Sequence, residues 1–263
     1  MLQLKEFFDD DIIHISNIIT EVNSGYIDHP DFIRVLKEIV DKVKDELKNF
    51  ETSKISELYP YISFPYTFRT YRYKETFFEP DIPIKQNIEI QIFPQKKQEN
   101  KMEDLLTSGA TYFDNHKFTI KIGVNNTKLV SDLLNSMNKF ESIMSHELVH
   151  VFQNIYGNYK KSQAYIKKGM NSSDDNFGKW YWSNKREIEA YITNINIELR
   201  QLKKENPDIK FKSAMLKIKS WKHLNDFMPK EGKNLIARIL RKVVHYWQHN
   251  LGGKLNEFTY RLK

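Results

Sequence analysis

Residues 140–155 read FESIMSHELVHVFQNI. Phe140, Ile143, Met144, Val151, Phe152 and Ile155 recur at helical spacing, which predicts a long amphipathic helix with Gly157 as its stop. Inside it, His146-Glu147-Leu148-Val149-His150 forms an HExxH pattern. Residues four apart stand one above the other on a helical face, so both imidazoles can reach a single ion. Glu147, next to the first histidine, can then address a water on that ion from the side. The bland alternative is a helix with two ordinary histidines and a solvated glutamate.

A metal that activates water takes three protein ligands and keeps one position open. The next strongly periodic helix opens with Asn184-Lys185-Arg186-Glu187-Ile188-Glu189-Ala190-Tyr191. Its apolar stripe is Ile188, Ile192, Ile195, Leu199 and Leu202. Glu187 and Glu189 fall on opposite flanks of that stripe, each about 100° from its centre. Periodicity therefore leaves both glutamates open as the third ligand. Asn184 and Glu187 also have the spacing of a capping box, a purely structural role.

With HELVH and Glu187-Ile188-Glu189-Ala190 the chain resembles the zincin metallopeptidases of the glutamate-ligand type, the gluzincins. The resemblance covers roughly residues 110–200. In that group a second helix carries a glutamate with a small residue three positions later. Glu187 with Ala190 matches, whereas Glu189 is followed three positions on by Ile192. The resemblance therefore implies His146, His150 and Glu187 as ligands of a zinc ion, and Glu147 as general base. It implies a metallopeptidase with peptide or protein substrates. Zinc would lower the pKa of its water to roughly 7, and a nearby donor would stabilise the developing oxyanion. Tyr181 is a candidate for that donor, although packing is the alternative in the aromatic run Lys179-Trp180-Tyr181-Trp182. No third histidine follows His150 at the metzincin spacing, and the Asn-Glu-x-x-Ser-Asp form of the thermolysin-like subgroup is absent.

The implied fold is α+β: a zincin-like domain with a small antiparallel or mixed sheet, an active-site helix and a second ligand helix. An N-terminal helical region and C-terminal helices complete it. Zincins usually place a substrate-binding edge strand ahead of the active-site helix. Phe118, Ile120, Ile122 and Val124 alternate with Thr119, Lys121 and Gly123, a half-buried strand that could serve, or could equally be a core strand. Asp114-Asn115 reads as a turn, with Thr111 to Phe113 as the pairing partner.

Elsewhere, Ile12 to Ile19 and Phe32 to Leu47 predict two helices within an N-terminal region 1–60. The catalytic domain is expected over 61–263, or the whole chain as one continuous domain. Strands are expected in Tyr66 to Phe78 and Asn87 to Phe93, then a helix over 128–156 broken near Asn135 to Asn138. A long loop is expected over 158–183, and helices around Lys212 to Lys219 and Lys233 to Asn250. His245 and His249 are a second pair four apart, but no glutamate stands beside the first. Helix-end or surface chemistry suits them better than a metal site.

Composition bounds the function. The chain has 263 residues, a net charge of +7 and no cysteine, so any metal site must use nitrogen and oxygen. No stretch reaches the continuous apolar length of a membrane span. The acids of Asp9-Asp10-Asp11 stand where an export signal would be apolar, so a soluble, cytoplasmic protein is expected. Its Lys-, Asn- and Ile-rich composition suggests an AT-rich genome, phage, viral or bacterial. Two alternatives to a peptidase remain: an inactive zincin-fold binding protein, and a basic nucleic-acid-binding module. The second would use Tyr66, Phe68, Arg69, Tyr71, Arg72, Tyr73 and Lys74 as a basic stacking platform, with Lys233, Arg238, Arg241 and Lys242 adding charge.

Overall fold

Alternating apolar residues build a four-stranded mixed sheet at the centre of the first of two compact units, residues 29–160. In this computed structural model, residues 30–58, 61–72, 82–95, 106–114, 117–156, 185–227 and 233–253 are described. The strands are β1 (Ile62–Arg72), β2 (Ile82–Gln95), β3 (Leu106–Asp114) and β4 (Lys117–Asn125). Their order is β1-β2-β4-β3, with β2 and β4 parallel and both outer pairs antiparallel. Register places Phe64, Ile90, Ile120 and Thr111 in one row across the sheet, and Ile62, Ile92, Ile122 and Gly109 in the next. Cross-strand partners share a face, so these rows define the inner, apolar side. On β3 alone the rows end in a glycine and a threonine.

Three helices of this unit are α1 (Pro30–Lys48), α2 (Val130–Leu134) and α3 (Met137–Tyr156). Helix α1 packs on β1 and α3, and α3 packs on β3 and β4. Phe32 on α1 meets Phe152 on α3 edge-on at 5.3 Å, and Phe152 stacks on Phe68 of β1 at 5.9 Å. Each such ring, fully buried, contributes roughly 1.5–3 kcal/mol of transfer free energy. The break expected near Asn135 to Asn138 falls between α2 and α3. Across 140–155 the apolar Phe140, Met144, Val151 and Phe152 are buried and Glu141, Ser142, His150 and Asn154 are partly exposed, so the expected amphipathic helix forms, with the polar His146 and Glu147 enclosed on it.

The outer face of the sheet is polar. Ser63, Glu89 and Lys117 form a hydrogen-bonded and ionic network on it. The two edges of the sheet differ. On β1, Pro65 has no N–H to offer, and Lys42 of α1 donates to its carbonyl at 2.6 Å. Edge β1 is thereby blunted against further pairing. The strand Phe118 to Val124, which the sequence left as either a substrate edge or a core strand, is β4 and lies between β2 and β3. The second edge is β3. Alternation marks a strand with one open face, but it carries no information about the strand's neighbours.

The second unit's described residues form helices α4 (Lys185–Glu205), α5 (Phe211–Lys217), α6 (Lys219–Phe227) and α7 (Lys233–Asn250). Ile188, Ile192, Ile195 and Leu199 of α4 join Trp221, Val243 and Trp247 in one apolar cluster, the stripe expected from periodicity. The Glu198 carboxylate accepts the Lys219 N–H at 2.7 Å and caps the start of α6. At the end of α7, Gly252 takes φ 62° and the Gly253 N–H reaches the Trp247 carbonyl at 2.9 Å, turning the chain back on the helix end. The chain is thus mixed α+β. Among the described residues, no helix is long and apolar enough to cross a membrane. The helix expected over Ile12 to Ile19, the turn residue Asn115, the strand end Tyr73 to Phe78, the stop Gly157, the 158–183 loop with Tyr181, and Asn184 lie outside the described residues.

Candidate metal centre

The site is built from the middle of α3. One helical turn separates His146 from His150, and their ring centroids lie 5.1 Å apart at 78°. His146 is 9 % exposed and Glu147 6 %, so the motif is sheltered from bulk water. His150 Nδ1 lies 3.0 Å from Oε1 of Gln153, itself buried. An amide oxygen only accepts, so Nδ1 carries the ring proton and Nε2 is left as the lone-pair nitrogen. Such a bond is the usual means of fixing a metal-binding imidazole in orientation and tautomer.

Glu147 is held from the edge strand. The Thr111 hydroxyl donates to Glu147 Oε2 at 2.7 Å and stands 3.0 Å from the Glu147 carbonyl oxygen. Gly109, two residues earlier on the same face of β3, lies against the same side chain. A Cβ there would sit 2.7 Å from Glu147 Oε1 and 2.8 Å from Ile143 Cγ2. Neither residue had been singled out as functional from the sequence. The available signal was the loss of large apolar residues from the inward positions 109 and 111 of an otherwise regular strand.

Glu187 occupies the first turn of α4. Single ligand atoms of His146, His150 and Glu187 lie within 4.8 Å of one another, and this is the one such three-ligand group among the described residues. Glu189 is not in it. Comparison with protein-family models, curated proteins and solved structures returns no match to the chain. The fold and site stand on their own geometry. Two imidazole nitrogens and a carboxylate are a donor set that zinc accepts in open, water-carrying sites, so the residues present fit that ion.

The other sequence candidates are placed elsewhere. His245 and His249 lie on α7 with ring centroids 4.4 Å apart, and no third ligand joins them among the described residues. Of the proposed stacking platform, Phe68 is buried against Phe152, and the Tyr66 hydroxyl bonds Glu38. Burial, with help from that carboxylate, raises the Tyr66 phenol. These rings face the core side of β1, and Arg69 is left exposed.

Proposed function

We propose that this chain is a zinc-dependent hydrolase of the gluzincin type that cleaves peptide bonds. The observation that carries the reading is the grouping of His146, His150 and Glu187 around the helix that bears Glu147. A zinc ion held by these three residues would supply Lewis acidity toward a water and a scissile carbonyl. The remaining work belongs to the protein. Glu147 takes the proton of the attacking water on its carboxylate and passes it to the leaving amine. Gln153 accepts from His150 Nδ1 and so leaves Nε2 as the nitrogen with a lone pair. The buried surroundings of α3 limit bulk water around the reacting groups.

The sheet suggests how a substrate is laid down. With β1 blunted by Pro65 and Lys42, β3 is the edge left for an extended peptide to pair with, through main-chain hydrogen bonds and with little sequence preference. Glu147 lies directly beneath that strand. The fold this implies is the zincin one, with β3 as its edge strand, α3 as its active-site helix and α4 as its second ligand helix.

Metal analysis of purified protein tests the reading. Wild type and Glu189→Ala should carry one zinc per chain, and Glu187→Ala should lose it. Glu147→Gln should keep the metal and lose at least about a hundredfold in peptide hydrolysis. A wild type that takes up no zinc when it is supplied would remove the proposal.

A further inference from the structure

We propose that strand β3 carries a purpose-built seat for the Glu147 carboxylate, in which Thr111 and Gly109 are positioning residues. The inference rests on the reading of Glu147 as general base and adds the residues that aim it. A glutamate has three side-chain torsions, and a base displaced by about 1 Å can lose a hundredfold in rate. Something must therefore restrict it.

The seat does so from two sides. The Thr111 hydroxyl binds Glu147 Oε2 at 2.7 Å and is 3.0 Å from the carbonyl of the same residue. Its one proton thus serves either acceptor, and both tie β3 to residue 147. Gly109 acts by having no side chain. The carboxylate occupies the space its Cβ would need, with Oε1 2.7 Å and Cγ 3.1 Å from that position. A methyl group there meets the mobile end of Glu147 and the Ile143 side chain, not backbone, so the fold can survive while the carboxylate is pushed aside.

The sequence pattern supports a role beyond packing. Inner-face rows run Ile62-Ile92-Ile122 and Phe64-Ile90-Ile120 before ending in Gly109 and Thr111. A strand whose only task was to cover α3 would gain stability from apolar residues at both places. The polar and vacant positions coincide with the carboxylate. Gly109 is also exposed, so the seat opens toward solvent at the point where a substrate main chain would lie along β3.

The test compares Thr111→Val, Thr111→Ser and Gly109→Ala with wild type. The first readout needs no turnover: the Glu147 side-chain carboxyl carbon resonance in labelled, metal-free protein, assigned by its loss in Glu147→Gln. It should move in Thr111→Val and in Gly109→Ala and return to the wild-type position in Thr111→Ser. Zinc content should stay near wild type in all three, and melting temperature in both Thr111 variants, while Gly109→Ala should remain folded. With fluorescein-labelled casein as substrate, kcat should fall about ten- to hundredfold in Thr111→Val and Gly109→Ala at unchanged KM, and Thr111→Ser should restore it. A carboxyl resonance unmoved in both variants, or moved with kcat intact, overturns the seat. A wild type that binds zinc but does not cleave casein counts against the hydrolase reading alone, because the resonance reports the seat without turnover.

Discussion

His150 shows how much of the site is arranged by single residues outside the motif. The spacing of His146 and His150 places both rings on one face, but it does not choose a tautomer. Gln153, three residues on and buried, makes that choice through the 3.0 Å contact with Nδ1. Leucine is close to glutamine in size, so Gln153→Leu should preserve packing while freeing the ring. We expect zinc affinity to fall about ten- to hundredfold, read by competition with a chromophoric chelator. Unchanged affinity would reduce Gln153 to a packing residue. HExxH was legible from sequence because four-residue spacing is a property of the helix itself. Gln153, Gly109 and Thr111 were not read as functional, because each acts only through the residue it meets in space.

At the scale of elements, periodicity located α1, α3 and α4 within a few residues, half of β2 and most of β4. It left open whether β4 was an edge or an interior strand, and β4 is interior. The local pattern is the same whether the neighbouring surface is water or protein. The sheet's outer face yields a pH prediction. Lys117, with Ser63, holds the Glu89 carboxyl at about 2, below its usual 4.5. A depressed carboxyl stabilises the fold above pH 4.5 and loses that contribution as pH falls toward 2. Lys117→Met should therefore be less stable than wild type at pH 7, with the gap closing between pH 4.5 and 2. Because Lys117 is half exposed, the gap should be under about 1 kcal/mol in urea unfolding. A gap that widens on acidification would contradict the assignment.

At the scale of the whole molecule, the described chain has two separate hydrophobic centres. One lies between the sheet and helices α1 and α3, the other is the α4–α7 cluster around Trp221 and Trp247. A metal bound only by the folded protein adds stability by mass action. At zinc about a hundred times its Kd, the gain is about 2.7 kcal/mol. Removing zinc with a chelator should thus lower the melting temperature of wild type and leave His146→Ala unaffected; equal shifts in both would mean the chelator acts elsewhere. Net charge, lack of cysteine, helix periodicity and the HExxH spacing were all decided by the sequence alone, since each depends on composition or on residues within a turn or two. Strand order, and with it the identity of the edge, was decided only by the tertiary structure. So was the meeting of Gly109 and Thr111 with Glu147. The physical reason is that these depend on register between strands and on how α3 packs against β3. Both are set by contacts between residues far apart in the chain, which local spacing does not encode.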